Sequence, residues 1–258
     1  MYRTADRPRI PTTVRRHTSA PLRLVADLLP PAPAPLPRLR IPTGGRPRVW
    51  LVDVTAHAAG AEAVAAGTLG ADERNRAAAF MHREDREAYL TSHVALRRLL
   101  AAYTDARPQD IDLVREPCPL CARPHGRPAL SGEAGPHFSL SHTRGAGLIA
   151  VSATPVGVDG EALSEIHVSD ELSRLLHPRE QEELAAAQPA DRTAAFARAW
   201  TRKEAYLKGL GTGLGRSSTL DYVGAGPVAC DVGPDWRVQD LSLPPGLAGA
   251  VAWHTASG

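Results

Sequence analysis

Two pairs of residues in the second half of the chain have spacings that suit chemistry. Asp159 and Glu161 stand two apart within 156–161 (VGVDGE), a run that reads as a strand, so both carboxylates leave the same face. Oxygens so placed suit a hard cation such as Mg²⁺, which takes one or two carboxylates and fills its shell with water and phosphate oxygens. A polar strand end facing solvent would show the same pattern. Glu204 and Lys208 stand four apart in a helical pattern over 194–210, away from its apolar stripe of Phe196, Ala199, Trp200, Leu207 and Leu210. An exposed pair at that spacing adds roughly 0.3–0.5 kcal/mol to a helix and needs no further purpose. Composition argues for more. Among 30 basic residues only Lys203 and Lys208 are lysine, and arginine serves everywhere else. A lysine kept against that bias fits a site that needs a compact ammonium to meet a phosphate as a point charge.

Other motifs carry less. Ser141 and His142 are neighbours on a strand and point to opposite faces, and no Gly-x-Ser-x-Gly elbow is present, which argues against a Ser-His nucleophile. His142, at a strand end, is placed to meet a phosphate or to serve as a satisfied structural histidine. The run 209–215 (GLGTGLG) follows a helix instead of opening one, so it reads as a helix cap and turn and not as a nucleotide loop. Cys118 and Cys121, with His125, offer half a zinc site that Cys230 or a distant histidine would have to complete. The arginines Arg74, Arg76, Arg83 and Arg86 form either a phosphate grip or a solvated face.

The elements that must position these groups follow from the periodicity. Residues 49–54 read as a first strand, and 72–80 and 84–103 as helices. From His137 the period is two, and 137–142, 147–152 and 156–161 read as an antiparallel meander. Helical patterns follow over 170–176, 179–187 and 194–210, and the remainder, including 228–232 and 248–253, reads as strands with turns. Strands in runs and helices in runs indicate an α+β fold. The chain has 258 residues, 43% of them apolar, enough for one large domain or two modest ones. A net charge of +2 from 30 basic and 28 acidic residues argues against a nucleic-acid binder relying on a strongly basic surface. Three cysteines without scaffold spacing fit a reducing cytoplasm. No apolar run is long enough to span a bilayer. The stretch 1–47 is rich in arginine and proline, and it is expected to be an extension outside the fold.

Taken together the motifs are more specific than any one of them. Gly157-Val158-Asp159-Gly160-Glu161 followed by Trp200-Thr201-Arg202-Lys203-Glu204-Ala205-Tyr206-Leu207-Lys208 resembles the paired signature of the 4′-phosphopantetheinyl transferases. Phe138 to His142 looks like that family's strand ending in Ser-His, Gly126-Arg127-Pro128 like its Gly-Lys/Arg-Pro element, and the helix through Asp85, Arg86 and Arg97 has its look. The resemblance covers roughly residues 70–215. It implies transfer of the phosphopantetheine arm of coenzyme A to a serine of an apo acyl or peptidyl carrier protein, with release of adenosine 3′,5′-bisphosphate. Asp159, Glu161 and Glu204 would be the Mg²⁺ ligands, and Glu204, Lys208 and His142 the candidate catalytic residues. Glu204 or a metal-bound water would take the serine proton, and Lys208 would contact the diphosphate. His142, with Arg74 and Arg76, would hold the 3′-phosphate, with Arg127 near the nucleotide and Arg83 near the diphosphate, and Ser141 and Pro128 would also contact coenzyme A. Lys203 is left with positioning or partner contact.

The sequence departs from the family pattern twice. Gly160 stands where an apolar β-branched residue is usual, and Glu73 stands where a 3′-phosphate cation is usual, with Arg74 its nearest substitute. The length resembles the long, Sfp-type members, which fold two similar α+β halves into one pseudo-dimeric chain. That resemblance implies a monomer with halves at 48–153 and 154–258 and coenzyme A in the cleft between them. A non-catalytic coenzyme A or nucleotide-binding protein is the alternative, and the intact Asp159, Glu161, Glu204 and Lys208 argue against it.

Overall fold

The computed structural model describes residues 24–43, 45–132 and 135–255. In chain order the elements are β1 (Leu24–Val25), β2 (Asp27–Leu28), β3 (Arg48–Asp53), α1 (Val54–Thr68), α2 (Ala71–Ala78), α3 (Arg83–Thr104), β4 (Leu113–Arg115) and β5 (Pro128–Leu130). They continue with β6 (His137–Thr143), β7 (Ala146–Ser152), β8 (Val156–Ala162), α4 (Asp170–Ser173), α5 (Pro178–Ala186), α6 (Arg192–Leu210), β9 (Trp236–Ser242) and β10 (Leu247–His254). One sheet has the order β2-β3-β7-β6, the other β1-β9-β10-β8, and β4 pairs with β5.

The apolar run in β3 has no polar face because both of its faces are covered. Val49 and Leu51 join Leu148, Val158 and Val251 between the two sheets, while Trp50 and Val52 join Leu96, Leu99 and Phe138 beneath α3. Alternation in β10 does the same for the second sheet. Val251 faces the first sheet, whereas Ala250 and Ala252 face Ala205 and Leu207 of α6. The result is four layers, helix, sheet, sheet and helix, and the expected α+β class is met.

Three expectations need correction. The strands from His137 do not form one meander: β6 and β7 pair, but β8 pairs with β10 in the other sheet, with Val158 opposite Val251. The adjoining edges of β6 and β8 are tied by side chains instead. Hydroxyls of Ser139, Ser141 and Thr143 on β6 accept from the N–H groups of Val158, Gly160 and Ala162 on β8 at 3.1, 3.4 and 3.1 Å. These bonds satisfy donors that a buried strand edge would otherwise leave unpaired. The 228–232 run is not a strand; only an isolated bridge joins Val232 to Trp236, and the pairing strand is β9. Residues 24–43 are not outside the fold. β1 runs parallel to β9 and β2 parallel to β3, so five residues stitch both sheets. Leu29 is buried in the α3 core, and Leu36, Leu39 and Ile41 pack against it. The prolines bar ladder pairing, but carbonyls need no N–H of their own: Arg98 donates to those of Pro30, Pro31 and Ala34. Residues 1–23 of that expected extension lie outside the described residues.

Candidate active site

The close approach of β8 and α6 builds the acidic part of the site. A Cβ on Gly157 would lie 1.9 Å from the Ala205 carbonyl oxygen and 2.4 Å from the Gly209 nitrogen, so only glycine lets the two backbones meet. Asp159 and Glu161, two and four residues on, then face the helix that carries Glu204 and Lys208. Gly160 points the other way, where a Cβ would meet Leu148 Cδ1 at 2.4 Å. Leu148 thus fills the space that a larger residue at 160 would take, which accounts for the departure there.

Asp159 is buried. Its Oδ1 accepts from Lys208 Nζ at 2.5 Å and from Ser141 Oγ at 2.8 Å, and Lys208 Nζ also lies 3.3 Å from Ser141 Oγ. Its Oδ2 is buried without a partner. Burial, then the charge of Asp159, pushes Glu161 up to about 7, and the same two causes raise Glu204. The strand therefore presents carboxylates that resist ionising together, with one ammonium among them. Among the described residues their oxygens do not form a trio within 4.8 Å of one another; Cys118, Cys121 and His125 do. An orphaned carboxylate oxygen beside two destabilised carboxylates fits a hard divalent cation, which takes oxygen donors and relieves like charge.

Lys208 also lines a cleft of about 660 Å³, within the range of small-molecule sites. Arg76 of α2, His142 of β6, and Arg127 and Pro128 of the β4–β5 hairpin line it as well. Arg127 donates to the Gly209 carbonyl at 2.8 Å and pairs with Glu116 at 2.8 Å, which fixes the hairpin against the end of α6. There Gly211, with φ of 80°, caps the helix, as expected for the 209–215 run. His142 opens to water in the cleft, yet burial by the protein around it, then neighbouring His93 and the cations Lys208 and Arg76, push its pKa down to about 4.

Not every expected residue reaches the cleft. Arg83 is exposed on another face and pairs with Glu87 at 2.7 Å, and Arg74 bonds to the Leu69 carbonyl; neither lines the cleft. Ser141 lies beneath it, bonded to Asp159. Tyr89, His93 and Arg115 line the cleft without having been singled out as site residues. Tyr89 stacks on His93 with centroids 4.0 Å apart and meets His142 edge-on at 6.0 Å. The signal is the four-residue spacing of Tyr89 and His93, which puts both on one face of α3. Glu73 does line the cleft, but it is neutralised by Arg97 at 2.6 Å and His93 at 3.0 Å and caps the Gly70 N–H at 2.8 Å.

A family model described as the 4′-phosphopantetheinyl transferase superfamily matches residues 155–227, the segment that holds Asp159, Glu161, Glu204 and Lys208. The 4′-phosphopantetheinyl transferase HetI of Nostoc sp. is 30% identical over 194 residues, which are 72% of this chain and 79% of that protein. The chain belongs to the 4′-phosphopantetheinyl transferase superfamily. Among its other relatives, a 4′-phosphopantetheinyl transferase of Bacillus subtilis is 28% identical over 157 residues, 60% of this chain and 66% of that protein. The transferase Sfp of Bacillus subtilis strain 168 is 24% identical over 146 residues, 57% of this chain and 62% of that protein. In this member of the superfamily the matched segment supplies Asp159, Glu161, Glu204 and Lys208, while Arg76, Arg127, Pro128 and His142 of the cleft come from outside it.

Proposed function

We propose that the protein moves the 4′-phosphopantetheine arm of coenzyme A onto a serine of an apo acyl or peptidyl carrier protein, in a Mg²⁺-dependent reaction. One observation carries this reading: Lys208 lines a cation-lined cleft and pairs with Asp159 of the acid-rich cluster, so the two meet at its ammonium. The acids suit a cation and the cleft suits phosphates, and a diphosphate with its metal needs both at once.

Asp159, Glu161 and Glu204 would hold the Mg²⁺, which when bound supplies positive charge to phosphate oxygens as charge grows on the leaving group. The chain's own groups do the rest. Lys208 meets the diphosphate as a point charge. Arg76 and His142 hold the 3′-phosphate, and Arg127 and Pro128 flank the nucleotide from the hairpin. Glu204, or a water molecule beside it, takes the proton of the carrier serine. The serine oxygen bonds to the phosphorus that bears the pantetheine arm, the bond from that phosphorus to the nucleotide phosphate breaks, and adenosine 3′,5′-bisphosphate leaves. Arg74 and Arg83 have no part in this scheme, because they do not line the cleft.

In this reading the halves 48–153 and 154–258, each a sheet with its outer helix, make a pseudo-dimer within a single chain, and residues 24–28 add a short strand to each sheet. Both halves line the cleft, so a monomer suffices, and the cytoplasm is where it would meet its carrier. Incubating the protein with coenzyme A, MgCl₂ and a panel of apo carriers should add one phosphopantetheine mass to at least one carrier, read by mass spectrometry. If a reference transferase loads several of these carriers and this protein loads none, the proposal fails. Binding of coenzyme A without even a single turnover would favour the non-catalytic alternative.

A further inference from the structure

The tip of the β4–β5 hairpin carries a cluster that the transfer scheme does not use. Cys118, Cys121 and His125 place one ligand atom each within 4.8 Å of one another, and Cys121 Sγ lies 2.9 Å from His125 Nε2. The spacings, Cys-x₂-Cys and Cys-x₃-His, are those of zinc-binding turns, where sulfur sits about 2.3 Å and nitrogen about 2.0–2.1 Å from the metal. Two thiols and an imidazole select zinc over magnesium, which prefers oxygen. Cys230, one candidate to complete the set from sequence, is elsewhere, beside Gly224 and Tyr222.

The backbone is shaped for this gathering. The Cys118 carbonyl accepts from the N–H groups of Cys121 and Ala122 at 3.3 and 2.8 Å, and the Arg123 carbonyl accepts from those of Cys118 and His125, both at 2.8 Å. Ala122 adopts a φ of 58°, a left-handed conformation that costs a residue bearing a Cβ about 1–2 kcal/mol. Leu113, Leu130 and the bond from Arg127 to Gly209 anchor the base of the hairpin, and little at its tip offsets that cost. β4 and β5 have three residues each, Val114 and Leu120 are exposed, and so short a hairpin is marginal in water.

We propose that Cys118, Cys121 and His125 bind one Zn²⁺, with a water molecule as the fourth ligand, and that this ion staples the hairpin that carries Arg127 and Pro128. Among the described residues no fourth side chain joins the group, and Cys121 and His125 are exposed, so the remaining position faces solvent. On binding, each thiol loses its proton to water and forms a sulfur–zinc bond, while the imidazole binds as the neutral ring. The ion closes the turn two residues before Arg127. Its role is structural, and it is separate from the cation at Asp159.

The test uses full-length, tag-free protein purified without chelator, loaded with ZnCl₂ and dialysed. Metal analysis should give one zinc per chain, against less than about a tenth of that for Cys121→Ser combined with His125→Ala. Both substituted positions are exposed, so the variant should fold, which circular dichroism checks. Cobalt in place of zinc should give the visible bands of a tetrahedral site and a thiolate charge-transfer band, both lost in the variant. Zinc removal should speed hydrogen exchange across 113–130 and leave β8 and α6 unchanged. The proposal is overturned if the loaded protein holds only traces of zinc, if the variant holds as much as the parent, or if Cys118 and Cys121 are joined in a disulfide. None of these readouts depends on transfer activity, so failure here leaves the transferase reading standing.

Discussion

Two sides of α6 treat charge in opposite ways. Arg202, fully buried, sends Nε and Nη2 to the two carboxylate oxygens of Asp240, each at 2.6 Å, and Nη1 to the Gly224 carbonyl at 2.6 Å. Lys203, also buried, pairs with Glu180 at 2.9 Å and donates to the Asp221 carbonyl at 2.7 Å. Glu180 in turn accepts from the N–H groups of Val223 and Gly224 at 2.7 and 3.2 Å. Arg202 and Lys203 thus each have an opposite charge. On the other side, Glu204 and Lys208 face Asp159 and Glu161, three carboxylates to one ammonium, and an oxygen of Asp159 has no partner. Complete pairing holds the helix in place; surplus of one sign prepares a place for a ligand of the other. The two lysines that stood out together by rarity therefore do different work, and burial of Lys203 rules out its contact with a partner.

The largest effect should come from the surplus side. Glu204→Gln keeps shape and removes one carboxylate, and Asp159→Asn does the same on the strand. Each should slow transfer on the order of 10³-fold or more, equivalent to several kcal/mol of transition-state stabilisation. For Glu204→Gln the melting temperature should hold or rise, because burial and like charge already oppose ionisation at Glu204. Timed mass spectrometry and thermal melts measure the two outcomes. Slow transfer with a lowered melting temperature would mean that these acids support the fold, and the contrast between the two sides would collapse.

The paired side should give the converse. Lys203→Met leaves Glu180 buried without its cation, a loss of about 3–5 kcal/mol of stability. Adding Glu180→Gln should recover part of it, since the stranded charge is then gone. Urea unfolding gives the stabilities, and transfer rate per folded molecule should fall far less than for Glu204→Gln. A Lys203→Met protein as stable as the parent but inactive would move Lys203 into the site.

How much of this was legible depended on whether spacing or long-range packing set the outcome. The i,i+2 and i,i+4 rules placed Asp159 with Glu161 and Glu204 with Lys208, because strand and helix periods are local. The same rules gave β3, β6, β7, β8, β10, α3 and α6 nearly to their ends. What they missed was decided by partners distant in sequence. α1 (Val54–Thr68) is alanine-rich with no clear apolar stripe, and its buried positions, among them His57 and Ala61, are set by α3 and the segment around Ala32. β8 joins the second sheet because β10 pairs with it, which period two does not reveal. Arginine roles were the least legible. In an arginine-rich chain, residue type carries little information about place, and only coordinates separate Arg76 in the cleft from Arg83 on an outer face.

The smallest predicted effect extends the comparison across the cleft. Burial, then the crowded acids on β8, raises Glu161 to about 7; burial, then the positive groups near His142, lowers it to about 4. Surplus acid asks for a cation and surplus cation asks for an anion. His142 should therefore stay neutral in the free protein as pH falls well below its ordinary 6.5, and the stability it contributes should be lost between that value and about 4. A bound phosphate reverses the sign. With adenosine 3′,5′-bisphosphate present, the imidazole midpoint should rise by at least one unit, about 1.4 kcal/mol of favourable interaction between imidazolium and phosphate. Imidazole proton shifts followed by NMR across pH, with His142→Gln to assign the resonance, give the midpoint in both states. An unchanged midpoint on saturation would place the 3′-phosphate away from His142, leaving Arg76 and Lys208 as the cleft's anion-binding groups.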